Sequence, residues 1–229
     1  MLDTDTPVID ATGHRERLRA RLFDDPEGLH DHELIEYLLA VALPRIDTKA
    51  IAKRLIAEFG SFGRVLAAEP TALRRVKGMG DVSAAAIKIA QAAAIRLARA
   101  EARAAPVLSN WQALSDYLQA RLAHENVEEF RLLHLDTRNM LVLDEALSRG
   151  TIDQTAVHVR EVIKRALEVG SAALILVHNH PSGDPSPSRA DIDITQTIIA
   201  AAKPLGISVH DHIIVGASGQ VSLRSKGLL

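Results

Sequence analysis

The chain has 229 residues, of which 47% are hydrophobic and 24% charged, with a formal net charge of −2. That is the composition of an ordinary globular protein with room for one large domain or two small ones. No run of about 18 apolar residues is present, so no membrane span is expected. The absence of Cys excludes disulfides, thiolate metal ligands and a Cys nucleophile. It fits a reducing, cytoplasmic setting. The acidic start Met1-Leu2-Asp3-Thr4-Asp5 lacks the basic and apolar regions of a signal peptide.

In chain order, the first hundred residues read as helices. Residues 13–22 are Arg-rich and look like an exposed basic helix. Residues 31–39 have apolar side chains at helical spacing, with Asp31 as the expected cap. Residues 48–59 form a third helix stopped at Gly60, and 61–68 and 70–76 are two short ones. Residues 81–105 read as a long Ala-rich helix capped by Asp81. Ala104-Ala105-Pro106 then breaks the pattern and is the expected linker. Beyond it, helices are expected at 110–123, 159–169 and 189–202. Strands are expected at 130–135, 140–146, 172–177, 207–215 and 220–223. Strands interleaved with helices make this half α/β.

Two segments carry chemistry. The first is Val76-Lys77-Gly78-Met79-Gly80 ahead of the long helix, which resembles the hairpin of a helix-hairpin-helix module. Gly permits close backbone approach, and exposed N–H groups at a helix start can hold a phosphate oxygen. Residues 64–103 hold eight basic and three acidic side chains, a local balance of +5. That makes Lys77, Gly78 and Gly80 candidate contacts to nucleic acid, phosphate-based and sequence-independent. A plain helical turn with a solvated basic face explains the same residues.

The second segment is His178-Asn179-His180-Pro181, followed by Ser188-Arg189-Ala190-Asp191. The apolar run at 172–177 reads as a buried strand. Residues i and i+2 of a strand share a face, so His178 and His180 can reach one ion together while Asn179 points away. Asp191 can supply an oxygen ligand. Two imidazoles and one carboxylate leave the fourth position of a tetrahedral zinc open to water, the layout of a hydrolytic site. Contiguous His-Asn-His only shares its letters with a nuclease motif. The Gly183 loop lacks the Gly-Lys-Ser/Thr ending of a phosphate cradle.

With these residues in view, the C-terminal half resembles the RadC family, a bacterial branch of the JAMM (MPN) metalloprotease-like fold. The similarity spans most of residues 107–229. It rests on Phe130 through Leu135-Asp136-Thr137, Gly150-Thr151-Ile152-Asp153, Arg160-Glu161-Val162, the His178 to Pro185 stretch, Pro187-Ser188, Asp191 and Asp211-His212. The first hundred residues resemble the helical region that precedes this domain. The resemblance implies a cytidine-deaminase-like (MPN) α-β-α sandwich over 107–229 behind an all-α domain over 1–106. It implies Zn2+ held by His178, His180 and Asp191, and a Glu two residues before the first aromatic of the first strand as general base. Phe130 is that aromatic, which points to Glu128, with Glu129 one register step away. Ser188 would donate a hydrogen bond to the oxyanion or the water. The implied activity is hydrolysis of an amide or isopeptide bond in a peptide or protein, with DNA contact through the N-terminal domain. The alternative is a DNA-associated module whose metal site is structural or inactive. Asp211-His212 reads as a supporting pair or a surface feature and is left outside the site. Val159 stands where the family often has Pro.

Overall fold

The computed structural model describes residues 11–150 and 157–229. The acidic start at 1–5 and Thr151-Ile152-Asp153 of the resemblance lie outside the described residues. Two compact units are present, one running to Ala92 and the other beginning at Ala93.

The first unit is helical: α1 Ala11–Asp24, α2 Asp31–Ala42, α3 Lys49–Phe59, α4 Phe62–Ala67, α5 Pro70–Arg75 and the first half of α6, Asp81–Arg103. Its core gathers Ile35 and Leu39 of α2, Ile51 and Leu55 of α3, Val65, Leu73 and Ile87. These are the apolar positions that the helical spacing marks out. Both expected caps sit one residue inside their helices. Asp31 is the first residue of α2, and its carboxylate accepts the Phe62 N–H at 2.9 Å, while His30 is the N-cap. Asp81 opens α6 and pairs with Arg74 at 2.8 Å, while the Gly80 carbonyl accepts from Ala84. Each carboxylate has a longer-range partner, and that partner outcompetes the local cap.

The second unit holds the C-terminal turns of α6, then α7 Trp111–Leu122, β1 Glu128–Leu135, β2 Leu141–Gly150, α8 Val159–Val169, β3 Ala173–Asn179, α9 Arg189–Ala202, β4 Ser208–Gly216 and β5 Gly219–Ser222. The five strands form one mixed sheet in the order β2-β1-β3-β4-β5. β3 and β4 run parallel and the other pairs are antiparallel. β3 is central and buried along its whole length, as its unbroken apolar sequence requires. Leu133, Leu135, Ile175 and Val177 face α7, and Phe130, Leu132, Leu174 and Leu176 face α8 and α9. The result is a three-layer α-β-α sandwich, preceded in the sequence by a helical region.

One irregularity matters for the site. Leu174 pairs with Val209, but Ile175 pairs with Asp211, so His210 is an extra residue in β4. A bulge of this kind switches the face on which every later side chain falls. Val209 packs on the α8/α9 side. Without the extra residue, Asp211 would share that side. With it, His212 does, opposite Leu176, and Ile213 and Val215 join the α7 side.

Candidate metal centre

The carboxyl ends of β3 and β4 and the start of α9 bring His178, His180 and Asp191 together. One ligand atom from each lies within 4.8 Å of the others. His178 Nε2 and His180 Nε2 are 2.9 Å apart, and they lie 3.3 and 3.7 Å from the two Asp191 carboxylate oxygens. Ligand atoms on a tetrahedral zinc with bonds of about 2.0–2.1 Å are about 3.3 Å apart, so the donor set has the span the ion requires. His178 is 2% exposed, whereas the neighbouring Ser188 is exposed, so the cluster is walled on the sheet side and reachable from the helix side.

Each ligand is held by a partner that also fixes its chemistry. His180 continues the ladder one residue past β3 by donating its N–H to the Val215 carbonyl at 2.9 Å. Its ring Nδ1 lies 2.8 Å from the Asp184 carbonyl, which only accepts. Nδ1 therefore carries a proton, and Nε2 is the nitrogen turned to the cluster, where a metal ligand needs it. The loop supplying that carbonyl is docked on the β4–β5 turn. The Gly183 carbonyl accepts from the Ser218 N–H at 3.1 Å and the Ser218 hydroxyl at 2.9 Å. A Cβ on Gly216 would stand 2.3 Å from that same oxygen, so only Gly fits there.

Asp191 is the N3 residue of a capping box closed by Ser188 at the N-cap of α9. The Ser188 N–H and hydroxyl both donate to Asp191 Oδ2 at 2.7 Å, and the Asp191 N–H donates back to Ser188 Oγ at 3.2 Å. Burial alone would raise the Asp191 carboxyl. Hydrogen bonds to His178 and His180 outweigh it and hold the group well below the usual carboxylate range. The Asp191 carboxylate, as the acceptor of that contact, raises His180 above its ordinary value against burial, so in the absence of a metal it favours a proton on the His180 nitrogen that faces it.

His178 makes its other contact to a residue that sequence reasoning left out. His178 Nδ1 lies 2.8 Å from Nε2 of His212, which is fully buried. His212 Nδ1 in turn lies 2.5 Å from Thr195 Oγ1 on α9. Burial pushes His212 well below the ordinary imidazole value. Phe130 stacks on the His178 ring at 6.3 Å and meets the His212 ring edge-on at 5.6 Å. Asp211 is spent on structure: its carboxylate accepts from the Arg224 and His212 N–H groups and the Ser222 hydroxyl.

The two adjacent glutamates at the start of β1 face opposite ways. Phe130 pairs with His178 across the β1–β3 ladder, so Glu128, two residues earlier, stands on the histidine side. Its negative charge contributes to raising His180. It is not one of the three clustered ligands. Glu129 is buried on the α7 side against Arg121 at 3.2 Å and Arg131 at 2.7 Å. Asn179, between the two histidines, points to that side. Its Oδ1 accepts the Glu129 N–H at 2.8 Å, and its Nδ2 donates to the Val127 carbonyl at 3.1 Å. It thus grips the backbone on both sides of Glu128, a role that the His-Asn-His spelling alone does not reveal.

In the helical unit, Lys77, Gly78 and Gly80 fall between α5 and α6. Gly78 has φ +98°, and a Cβ there would lie 2.9 Å from the Ile51 side chain, so Gly is required. The Met79 and Gly80 N–H groups are already used, by the Val76 carbonyl and by Ser83 Oγ. The basic stretch divides between the units. Arg96, Arg99 and Arg103 lie in the second, while Arg64, Arg75 and Lys77 are exposed in the first. Lys88 is drawn onto the Leu66 and Ala68 carbonyls.

Residues 108–228 match the family model described as the RadC-like JAB domain. A "UPF0758 protein" of Rhodobacter capsulatus is 52% identical over 203 residues, covering 89% of this chain and 95% of that protein.

Proposed function

The chain belongs to the RadC-like JAB domain family, and on the geometry of its His-His-Asp cluster we propose that it is a zinc-dependent hydrolase of an amide or isopeptide bond in a peptide or protein. The observation that carries this is the pair of imidazole Nε2 atoms 2.9 Å apart beside a carboxylate, with the His180 proton committed to the far side of its ring. A zinc ion held by His178, His180 and Asp191 supplies Lewis acidity, polarising a carbonyl and bringing the pKa of a water toward neutrality.

The chain's own residues supply the rest. Glu128, on the histidine side but outside the ligand cluster, is the group that accepts the proton of the attacking water and returns it to the leaving nitrogen. Ser188 has two donors on Asp191 Oδ2, the N–H and the hydroxyl. The N–H keeps the carboxylate in place when the hydroxyl turns toward the anionic oxygen that develops on the substrate. A structural metal site would have no use for a carboxylate on the histidine side outside the ligand set or for an exposed Ser at its rim.

The test is metal analysis of protein from metal-replete expression, followed by turnover of a peptide and isopeptide panel. About one zinc per chain and Glu128-dependent cleavage are expected. Absence of a divalent metal would overturn the proposal. Stoichiometric zinc with no cleavage of any substrate would favour the inert, DNA-associated module. We also propose that the helical unit makes weak, sequence-independent phosphate contacts through Lys77 and Arg75 beside Gly78. Both cations are exposed there, and Gly78 allows close backbone approach. Fluorescence anisotropy at low salt should show binding that Lys77→Glu weakens; equal binding by both proteins would end this reading.

A further inference from the structure

We propose that the second unit carries a separate small-molecule site, for an aromatic carboxylate, at the end of β4 away from the His-His-Asp cluster. Two adjoining concavities form it. One, of about 440 Å³, lies between Leu108, Trp111, His210 and the Ser222–Ser225 turn. The other, of about 350 Å³, reaches Lys203 and Ser208. Arg224 and His210 line both, so the two share a wall. Volumes of this size suit a compact organic molecule. The site stands at the start of β4, whereas His180 is bonded to Val215 near its end.

The wall chemistry sets the ligand class. Leu108 is 55% exposed, and Trp111 is only partly buried against the core, so the first concavity presents a branched chain and an indole. A ring laid on them would remove that apolar surface from water. The polar groups are donors that the chain leaves unused. The Trp111 indole N–H has no partner among the described residues. Arg224 gives Nε and Nη2 to the His210 and Val209 carbonyls, and its Nη1 has no partner among the described residues. Neither Arg224 nor Lys203 forms an ion pair among them. The one acid in the wall, Asp211, is occupied by the His212 and Arg224 N–H groups and the Ser222 hydroxyl. Two cations against one carboxylate leave a single positive charge to be met. A carboxylate matches that charge and can take its hydrogen bond from one guanidinium edge. A phosphate calls for more donors, and the turn has none to add. The Arg224 N–H is held by Asp211, and the Ser225 and Lys226 N–H groups are held by Ser222.

The walls are fixed in advance. Asn139, in the β1–β2 turn, has φ +62°, a conformation uncommon outside glycine. Its carbonyl accepts the Val107 N–H at 2.9 Å, and its Oδ1 meets His210 Nε2 at 2.6 Å. One residue thus ties the segment carrying Leu108 and Trp111 to the bulge of β4. On the other side, Ser225 donates its N–H to Ser222 Oγ and its hydroxyl to the Ser222 carbonyl, both at 3.0 Å. A cavity shaped before the ligand arrives loses little to ordering on binding.

The experiment uses the full-length chain. Trp111 is its only Trp, so intrinsic fluorescence and the single indole N–H resonance in NMR both report on this site. The probe is 3-phenylpropionate, compared with 3-phenylpropanol and phenyl phosphate. The carboxylate should saturate both signals with a Kd of about 1 mM, as befits a ligand of so few atoms, and bind more weakly as salt rises. The alcohol keeps the ring without the charge and should bind about tenfold more weakly or worse. Leu108→Glu puts a carboxylate into the cavity that Arg224 lines and should abolish binding of the probe with Tm unchanged. Arg224→Gln should weaken it about tenfold. Should that variant fail to fold, the exposed Leu108 position decides the matter. No saturable response of the unmodified protein to 3-phenylpropionate overturns the proposal. So do equal affinities for the acid and the alcohol, tighter binding of phenyl phosphate, or a folded Leu108→Glu protein that binds as well as the original.

Discussion

The two faces of the sheet each bury a polar cluster, and they differ in whether the cluster closes on itself. On the α7 side, Arg121, Arg131 and Arg149 meet Glu125, Glu129 and Asp144, three cations against three carboxylates. Tyr117 donates its hydroxyl to Asp144, and burial together with the Asp144 charge pushes the phenol up to about 12. Every charge there has a counter-charge from the chain. On the α9 side, two imidazole nitrogens and a carboxylate converge with no cationic side chain among the three clustered groups. Burial of polar groups is therefore no mark of function by itself. What distinguishes the second cluster is that its three donor groups converge on one another, an arrangement that a bound cation would complete.

The sharpest way to break this contrast is to remove the donors. His178→Ala/His180→Ala should abolish zinc uptake and turnover completely while leaving the α7-side network intact. Elemental analysis checks it, and equal metal in the variant would place the ion elsewhere. The adjacent glutamates come next. Glu128→Gln should retain zinc and fold but lose on the order of a hundredfold or more in kcat, because the amide cannot accept a proton. Glu129→Gln should leave the chemistry in place and instead cost about 1–3 kcal/mol of stability, since it strips one of two counter-charges from buried Arg131, which keeps Asp144. Denaturant titration and turnover on the same two proteins separate the effects. The reverse pattern would put the base on Glu129.

Acidity separates the faces more gently. His180 is raised by its hydrogen bond to Asp191, so in the metal-free protein this contact stabilises the fold below the ordinary imidazole pKa. That contribution is lost as pH climbs through the raised value. Asp191 is held low, so its contribution is present above the ordinary carboxylate pKa and fades only in strong acid. Zinc competes with the His180 proton and has the opposite dependence. The rise in Tm on adding zinc should therefore be small near pH 5 and grow through pH 7.5. A zinc shift independent of pH would mean that the imidazoles are not ligands.

The clustering of His178, His180 and Asp191 was legible because it lies in local patterns: an i, i+2 pair at the end of an apolar strand, and a Ser-x-x-Asp that is also a capping box. The helices and the buried central strand were legible from periodicity for the same reason. His212 was not, although Asp211-His212 stood out as a pair. Alternation counted from Val209 puts Asp211 on the ligand face, and only the extra residue at His210 reverses that. A bulge is a property of pairing with a neighbouring strand, and β4 carries no mark of it. The caps at Asp31 and Asp81 went the same way, decided by Phe62 and Arg74, residues 31 and 7 positions distant.

Asn179 joins the two faces and offers the finest test of the contrast. Its side chain points to the α7 side, yet it fixes the backbone from Val127 to Glu129 and so places Glu128 on the other side. Asn179→Ala leaves the Glu129 N–H and the Val127 carbonyl buried without this partner, which costs about 1–3 kcal/mol. If the grip serves only the fold, that loss is the whole effect. If it sets the position of the base, kcat should also fall about tenfold at an unchanged KM and unchanged zinc content, because substrate and metal contacts are untouched while the proton acceptor has shifted. Steady-state kinetics well below the melting temperature of the variant, with zinc measured on the same sample, distinguishes the two. An unaltered kcat alongside a lowered Tm would confine Asn179 to the scaffold and leave Glu128 held by the β1 ladder alone.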